Sequence, residues 1–375
     1  MAKHTAAMRI GIDARMMGAG NTRGIGRYIE ELVRAMLAMA PEHRYVLVVR
    51  EGRHPFVGHP SVETVVADVP WYGVAEQLRM PRVLARLKAD IVHIPHWNVP
   101  LAFRGRFVVT VHDLLLRTFP ESAKASTRIL PVRWAKQAAY RVVSGSAIRR
   151  ASTVLVPTRA VAEDVQRLFP SAAPRVVVGG EGMPVPDAAP SSPAAPPYLL
   201  YVGSAYPHKR LEALLQAWSS VRTEIPGLAL HVVGERDVFM ERFVHAAGDG
   251  VRFLGRLDDA ALAEAYRGAL AFVYPTAAEG FGLPPLEALA RGCPVMAADL
   301  PVLREVLGDA PVAWLGPEAG WGDAIIAVSR TLRGDPAARS RALASASALA
   351  ERHAWRHASQ AALAAYAAAT RPRAG

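Results

Sequence analysis

The chain has a single cysteine, Cys293, in 375 residues, so no disulfide can close within it. Set between Gly292 and Pro294, this thiol reads as buried filler and not as a nucleophile. No stretch reaches the roughly 18 uncharged apolar residues of a membrane-spanning helix. The apolar run Met8 to Ile12 is too short for a secretory leader, and Asp13 and Arg15 follow it at once. Metal ligands at useful spacing are also wanting. His93 and His96 flank Pro95 without a third and fourth partner, so no metal is expected. The glycines between Gly18 and Gly26 fit neither the P-loop spacing nor Gly-x-Gly-x-x-Gly. No zinc finger, aromatic-basic module or long basic tail is present, which argues against a nucleic-acid partner.

What is present is apolar and basic. Hydrophobic residues make up 51% of the chain, enough for two domains with cores of their own. Lys and Arg number 44 against 33 Asp and Glu, a formal net charge of +11 that suits anionic partners: nucleic acid, acidic lipid headgroups or phosphorylated donors. Short Val- and Ile-rich strands alternate with helical spacings from Met8 to Leu168. The pattern restarts at Tyr198, predicting a second parallel α/β unit. Between them, Pro184 to Pro197 holds six prolines and no periodicity. The expected organisation is an amino-terminal Rossmann-like domain over 1–183, a proline-rich linker over 184–197, a carboxyl-terminal Rossmann-like domain over 198–354, and a last helix over 355–375 that docks back on the first domain. Such sheets bind ligands beyond the carboxyl ends of their strands, so a shared cleft is expected. The segment Trp71 to Leu87 mixes Trp71, Tyr72 and Leu78 with Arg79, Arg82 and Arg86, and suits an interface or a domain surface. Pro81 is expected to interrupt any continuous helix there.

The most telling stretch is Tyr274-Pro-Thr-Ala-Ala-Glu-Gly-Phe-Gly-Leu-Pro-Pro-Leu-Glu-Ala-Leu-Ala290. It leaves a strand, passes through Gly280 and Gly282, and enters a helix that opens on proline. The free N–H groups of that helix suit a phosphate. Glu287, one turn inside, suits a vicinal diol such as a ribose, and Glu279 suits whatever occupies the site. Both glutamates read equally well as solvated or cap-region charges. Lys209, past the strand Tyr198 to Val202, suits a diphosphate, with Arg210 sharing that role or facing solvent. His112 and Asp113 follow the strand Phe107 to Val111, where the histidine suits proton transfer, hydrogen bonding to a substrate oxygen, or simple loop structure. Glu235 is a weaker candidate at a strand end.

Taken together, the sequence resembles the retaining glycosyltransferases of family four. Glu279-Gly-Phe-Gly-Leu-Pro-Pro-Leu-Glu287 matches their Glu-x7-Glu motif. Gly11 to Arg15 with Gly24-Ile-Gly-Arg-Tyr28, Val109 to Asp113, Tyr201-Val-Gly203 with His208-Lys209, and Leu300 to Leu307 follow in order. The resemblance implies the GT-B fold, two Rossmann-like domains facing each other across a cleft. It implies His112, Lys209 and Glu279 as catalytic residues. It places a nucleotide sugar against Gly24, Ile25, Gly26, Ser204, Lys209, Arg210, Glu279, Gly280, Phe281, Gly282, Leu283 and Glu287. The implied donor is GDP-mannose, with no metal or other cofactor required. UDP-glucose, a UDP-N-acetylhexosamine or a deoxyhexose nucleotide are alternatives. The implied acceptor is a glycan or polyprenyl-diphosphate-linked oligosaccharide of surface polysaccharide assembly. The expected location is cytoplasmic, peripheral at an anionic membrane. A basic nucleic-acid-binding protein is the non-enzyme alternative. Two departures stand out. Ser204 and Ala205 replace an arginine common in relatives, and Val178-Gly-Gly-Glu-Gly182 replaces an Asn-Gly-Val-like turn, so no ligand role is given to Glu181.

Overall fold

The computed structural model describes residues 7–18, 23–119 and 130–371. The chain divides into two compact α/β units. The first holds the described residues of Met1–Leu114, Leu130–Gly182 and His353–Gly375. The second holds those of Leu115–Ile129 and Met183–Arg352.

The first unit is built on seven strands: β1 (Arg9–Asp13), β2 (Arg44–Val49), β3 (Val62–Val66), β4 (Ile91–Ile94), β5 (Phe107–Thr110), β6 (Thr153–Val156) and β7 (Val176–Val178). They lie in the order β3-β2-β1-β4-β5-β6-β7, and every pairing is parallel. A parallel sheet is buried on both faces, which is why its central strands read as unbroken apolar runs. Successive side chains point to opposite faces. Val46 and Val48 join a core with Met80, Leu84, Ile148 and Val165, whereas Tyr45 and Leu47 join one with Ile29, Leu32, Ala362 and Tyr366. Helices Val74–Arg86, Leu130–Arg150 and Arg159–Leu168 contribute to the first core, and Arg23–Met39 and Trp355–Thr370 to the second. The last helix is tied down by Ser359, whose hydroxyl donates to the Leu32 carbonyl at 3.2 Å, and by Tyr366, whose hydroxyl stands 2.6 Å from His93 Nδ1.

The second unit repeats the plan with β8 (Tyr198–Val202), β9 (Ala229–Val233), β10 (Val251–Gly255), β11 (Ala271–Tyr274), β12 (Val295–Ala298) and β13 (Val312–Leu315) in the order β10-β9-β8-β11-β12-β13. Leu199, Tyr201, Leu230 and Val273 pack under Leu214 and Trp218 of the helix Leu211–Glu224 and Ile325 of Trp321–Arg333. The strand order reverses between β1 and β4 in the first unit and between β8 and β11 in the second. Doubly wound sheets bind ligands at such reversals, beyond the carboxyl ends.

The proline-rich stretch carries no helix or strand and is held on the second unit. The Asp187 N–H donates to the Ala290 carbonyl at 2.8 Å. Its carboxylate accepts from Arg267 Nε at 2.7 Å and Arg291 Nη1 at 2.9 Å, and these bonds, Arg267 foremost, hold its pKa below the usual range. Pro81 does not interrupt its helix, which runs from Val74 to Arg86. Glu76, Met80 and Leu84 are buried on one side of it, and this packing carries the helix past the missing N–H. Among the described residues, no helix is long and apolar enough to cross a membrane.

Candidate active site

The carboxyl ends of β8 and β11 lie side by side at the strand reversal of the second unit, and their loops are stitched together. The His208 carbonyl accepts from the Ala277 N–H at 2.7 Å and from the Thr276 hydroxyl at 3.1 Å. This brings Lys209, which ends the 3₁₀ turn Pro207–Lys209, against Glu279. Lys209 Nζ donates to Glu279 Oε1 at 2.6 Å and to the Tyr274 hydroxyl at 3.2 Å. The two charged side chains are 18% and 10% exposed. Burial opposes ionisation of Glu279, but the Lys209 charge and hydrogen bonds from Lys209, Tyr274 and Thr276 outweigh it. They hold the carboxyl below its ordinary range. Burial and the neighbouring Lys209 push His208 down to about 4. Lys209 and Glu279, each expected to meet a different part of the ligand, form one ion pair.

Other basic and polar candidates are engaged locally. Arg210, in the left-handed region at φ 53°, is salt-bridged to Glu318. The Ser204 carbonyl accepts from the Tyr201 hydroxyl at 2.8 Å. Glu235 is exposed. Gly280, Phe281 and Gly282 are buried. Gly282 has φ 96°, and a Cβ there would stand 2.6 Å from Leu303 Cδ2. Both conditions demand glycine at the entry to the helix Leu283–Ala290. Gly282→Ala is therefore expected to lower stability by about 1–3 kcal/mol, read from denaturant unfolding. Leu283 opens the helix, and Pro284 sits in its first turn, where the absent N–H costs no helical bond. Glu287, half-buried on the same helix, accepts from the Tyr266 hydroxyl at 3.3 Å.

In the first unit, His112 follows β5 and is held from both sides. Its Nδ1 is 2.7 Å from Glu181 Oε1, and its Nε2 is 3.0 Å from the Pro95 carbonyl. Tyr28 meets the ring edge-on, with centroids 4.7 Å apart. Asp113 beside it is half-buried. Gly24, Ile25 and Gly26 do not form a loop. They lie in the first turn of the helix Arg23–Met39, whose leading N–H groups have no partner within the helix. Gly20 lies outside the described residues. His93 and His96 serve structure. His93 is fully buried between the Thr110 hydroxyl at 2.8 Å and Tyr366, and burial pushes its pKa down to about 3. His96 hydrogen-bonds Asn98 at 3.2 Å. Among the described residues, no cluster of His, Cys, Asp or Glu is placed to hold a metal.

Two family models match the chain in tandem: Glycosyltransferase Family 4 over residues 22–182 and Glycosyl transferases group 1 over residues 187–345. The chain belongs to the family-four glycosyltransferases. Retention of anomeric configuration is typical of that family. An O-antigen chain mannosyltransferase of Escherichia coli is 29% identical to this glycosyltransferase over 322 residues, 76% of this chain and 81% of that protein. A second O-antigen chain mannosyltransferase, from Salmonella typhimurium, is 26% identical over 279 residues, 72% of this chain and 73% of that one. A sucrose-phosphate synthase from Thermosynechococcus elongatus superposes with a TM-score of 0.71 at 20% identity, covering 94% and 96% of the two chains. That likeness places the transferase in the GT-B fold.

Two features of the transferase escaped sequence reasoning. Glu181 stands out in the sequence only as a departure from an Asn-Gly-Val-like turn, and its contact with His112 spans 69 positions that no spacing rule connects. The other is a buried polar network near the carboxyl ends of β1 and β4. Arg15 donates to Asp13 through Nε at 2.8 Å and Nη2 at 2.7 Å, and to Glu76 Oε1 at 2.6 Å. Asn98 Nδ2 donates to the same Glu76 oxygen at 2.6 Å. Alternation of Asp13 with the apolar residues of β1 signals nothing unusual, because the partners come from a helix and a loop far along the chain.

Proposed function

We propose that this transferase moves a hexose, mannose from GDP-mannose, onto a glycan or lipid-linked oligosaccharide in surface polysaccharide assembly. The names of the two aligned relatives, both O-antigen chain mannosyltransferases, support the sugar and the process. The observation that carries the site is the mostly buried Lys209–Glu279 pair at the reversal between β8 and β11, with Glu279 on the same loop-to-helix segment as Glu287. In this reading Glu287 accepts hydrogen bonds from the ribose hydroxyls and Glu279 faces the transferred sugar. Breaking the anomeric C–O bond leaves negative charge on the diphosphate. Lys209 and the N–H groups leading into Leu283–Ala290 favour that charge. Glu279 holds Lys209 in place before the donor arrives. His112 serves the transfer step. The basic chain is drawn to anionic membrane, where polyprenyl-diphosphate acceptors reside. Exposed Val74 and Leu78, beside Arg79 and Arg82, suit that surface.

Titration of the protein with GDP-mannose, UDP-glucose, UDP-N-acetylglucosamine, a deoxyhexose nucleotide and duplex DNA, followed by product analysis, tests this reading. GDP-mannose is expected to bind most tightly and to yield a mannosylated acceptor with retained configuration. Preference for a UDP sugar would reassign the donor, and binding of DNA alone would remove the enzyme assignment of the site. Glu287→Ala is expected to weaken donor binding about ten- to a hundredfold, the range for hydrogen bonds to a charged group. The turnover of donor-saturated enzyme is expected to change much less, the signature of lost ground-state binding.

A further inference from the structure

Glu181 belongs to a turn whose backbone leaves little freedom. Gly180 adopts φ 74°, and a Cβ at Gly182 would overlap the Trp355 indole. Clamped in this way, the turn sends the Glu181 side chain inward, where the residue is only 7% exposed. Its Oε1 lies 2.7 Å from His112 Nδ1. On the far side of the ring, Nε2 lies 3.0 Å from the Pro95 carbonyl oxygen. A backbone carbonyl only accepts, and so does an ionised carboxylate. Satisfying both contacts puts a proton on each ring nitrogen. The ring is then an imidazolium with no lone pair left to take a proton.

We propose that Glu181 is a positioning residue for sugar transfer: it keeps His112 doubly protonated and fixed in plane, so that His112 acts as a stationary cation and not as a general base. This rests on the proposed role of His112 in the transfer step. The surroundings bear it out. Burial pushes His112 toward the neutral form. The hydrogen bond and charge of Glu181, the Pro95 carbonyl and the charge of Asp113 outweigh it and raise the pKa above the usual 6.5. The opposing titratable neighbours are His93 and His96, each pushed down to about 3, chiefly by burial. Both are therefore neutral near pH 7 and add no repulsion. Tyr28, packed edge-on, is pushed above its usual range by burial and stays a neutral phenol.

A raised pKa makes the imidazolium complete at low pH and lost as pH rises through the folded value. Glu181→Gln removes the counter-charge and leaves burial dominant, so the loss moves to lower pH. The expected result is an alkaline limb of the turnover profile displaced downward by about one pH unit or more. At pH 8, turnover is expected to fall about ten- to a hundredfold, as for a charged hydrogen bond. The donor KM should change far less. Glu181→Asp should recover part of the loss. His112→Gln combined with Glu181→Gln should be no worse than His112→Gln alone. NMR titration of His112 in the ligand-free protein should show the same displacement in Glu181→Gln.

An unmoved pH profile, multiplicative losses in the double variant, or a wild-type His112 that titrates at or below 6.5 would overturn the proposal. The last measurement needs no variant, so a Glu181→Gln chain that fails to fold leaves the proposal open to refutation. Absence of transfer with every donor would overturn the functional reading, while the NMR titration still decides whether Glu181 charges His112.

Discussion

Lys209→Met is expected to lower the rate of sugar transfer about a hundred- to a thousandfold, the usual loss when one preorganised charge-stabilising donor is removed. The neighbouring cation offers no substitute, because Arg210 is salt-bridged to Glu318. The variant also strands Glu279. In the native protein the Lys209 charge helps hold that carboxyl below its ordinary 4.5 despite burial. A depressed pKa contributes stability that is present above the unfolded value and lost as pH falls through the folded one. Without Lys209 the sign reverses. Burial raises the Glu279 pKa, so the variant's deficit relative to wild type grows with rising pH. Denaturant unfolding at pH 5 and pH 8 checks this. Adding Glu279→Gln to Lys209→Met should restore stability at pH 8 without restoring turnover, separating the structural loss from the catalytic one. Transfer by Lys209→Met within threefold of wild type would remove Lys209 from the proposed chemistry.

The contrast between Lys209 and Glu181 shows what a sequence can disclose. The placement of Lys209 and Glu279 is legible because each lies in a loop after a strong strand, and that of Glu287 because it lies on the helix the second loop enters; doubly wound sheets gather such positions at one strand reversal. Central strands such as Tyr198–Val202 and Ile91–Ile94 are legible for the same reason, being buried on both faces. The strands that the sequence pattern does not mark, Val62–Val66, Val176–Val178 and Val312–Leu315, all lie at sheet edges. An edge strand is short and half solvated, so its apolar run is broken, as in Val-Glu-Thr-Val-Val, or too brief to notice. Gly24 and Gly26 mislead in the other direction. Glycine lowers helix propensity, yet the packing of Tyr28, Ile29 and Leu32 carries the helix back to Arg23. The Glu181–His112 contact is tertiary. No local rule predicts it, because the burial that makes the pair matter is created by the fold itself.

The same reasoning applies to Arg15, where the largest stability effect is expected. Arg15 is 2% exposed, and its partners Asp13 and Glu76 are 7% and 1% exposed. The guanidinium donates to both carboxylates and, through Nη1, to the Val69 carbonyl at 2.9 Å. Arg15→Met keeps much of the side-chain volume but leaves two buried carboxylates without their cation. Removing one partner of a buried ion pair typically costs about 3–5 kcal/mol, here a fall in Tm on the order of 10 °C. Glu76→Gln should cost much less. It leaves the two-pronged Arg15–Asp13 contact intact, and the amide oxygen still accepts from Asn98. The asymmetry has a pH signature. Burial already raises the Glu76 pKa, against the opposing pull of Arg15. A raised folded pKa means stability that is fully present below the unfolded value and lost as pH rises through the folded one. Without Arg15 that pKa climbs further, so the Arg15→Met deficit should narrow as pH is lowered toward 5 and widen toward 8. Thermal unfolding of both variants across that range measures the difference. Equal losses for Arg15→Met and Glu76→Gln at every pH would show that the network acts through shape and not through charge.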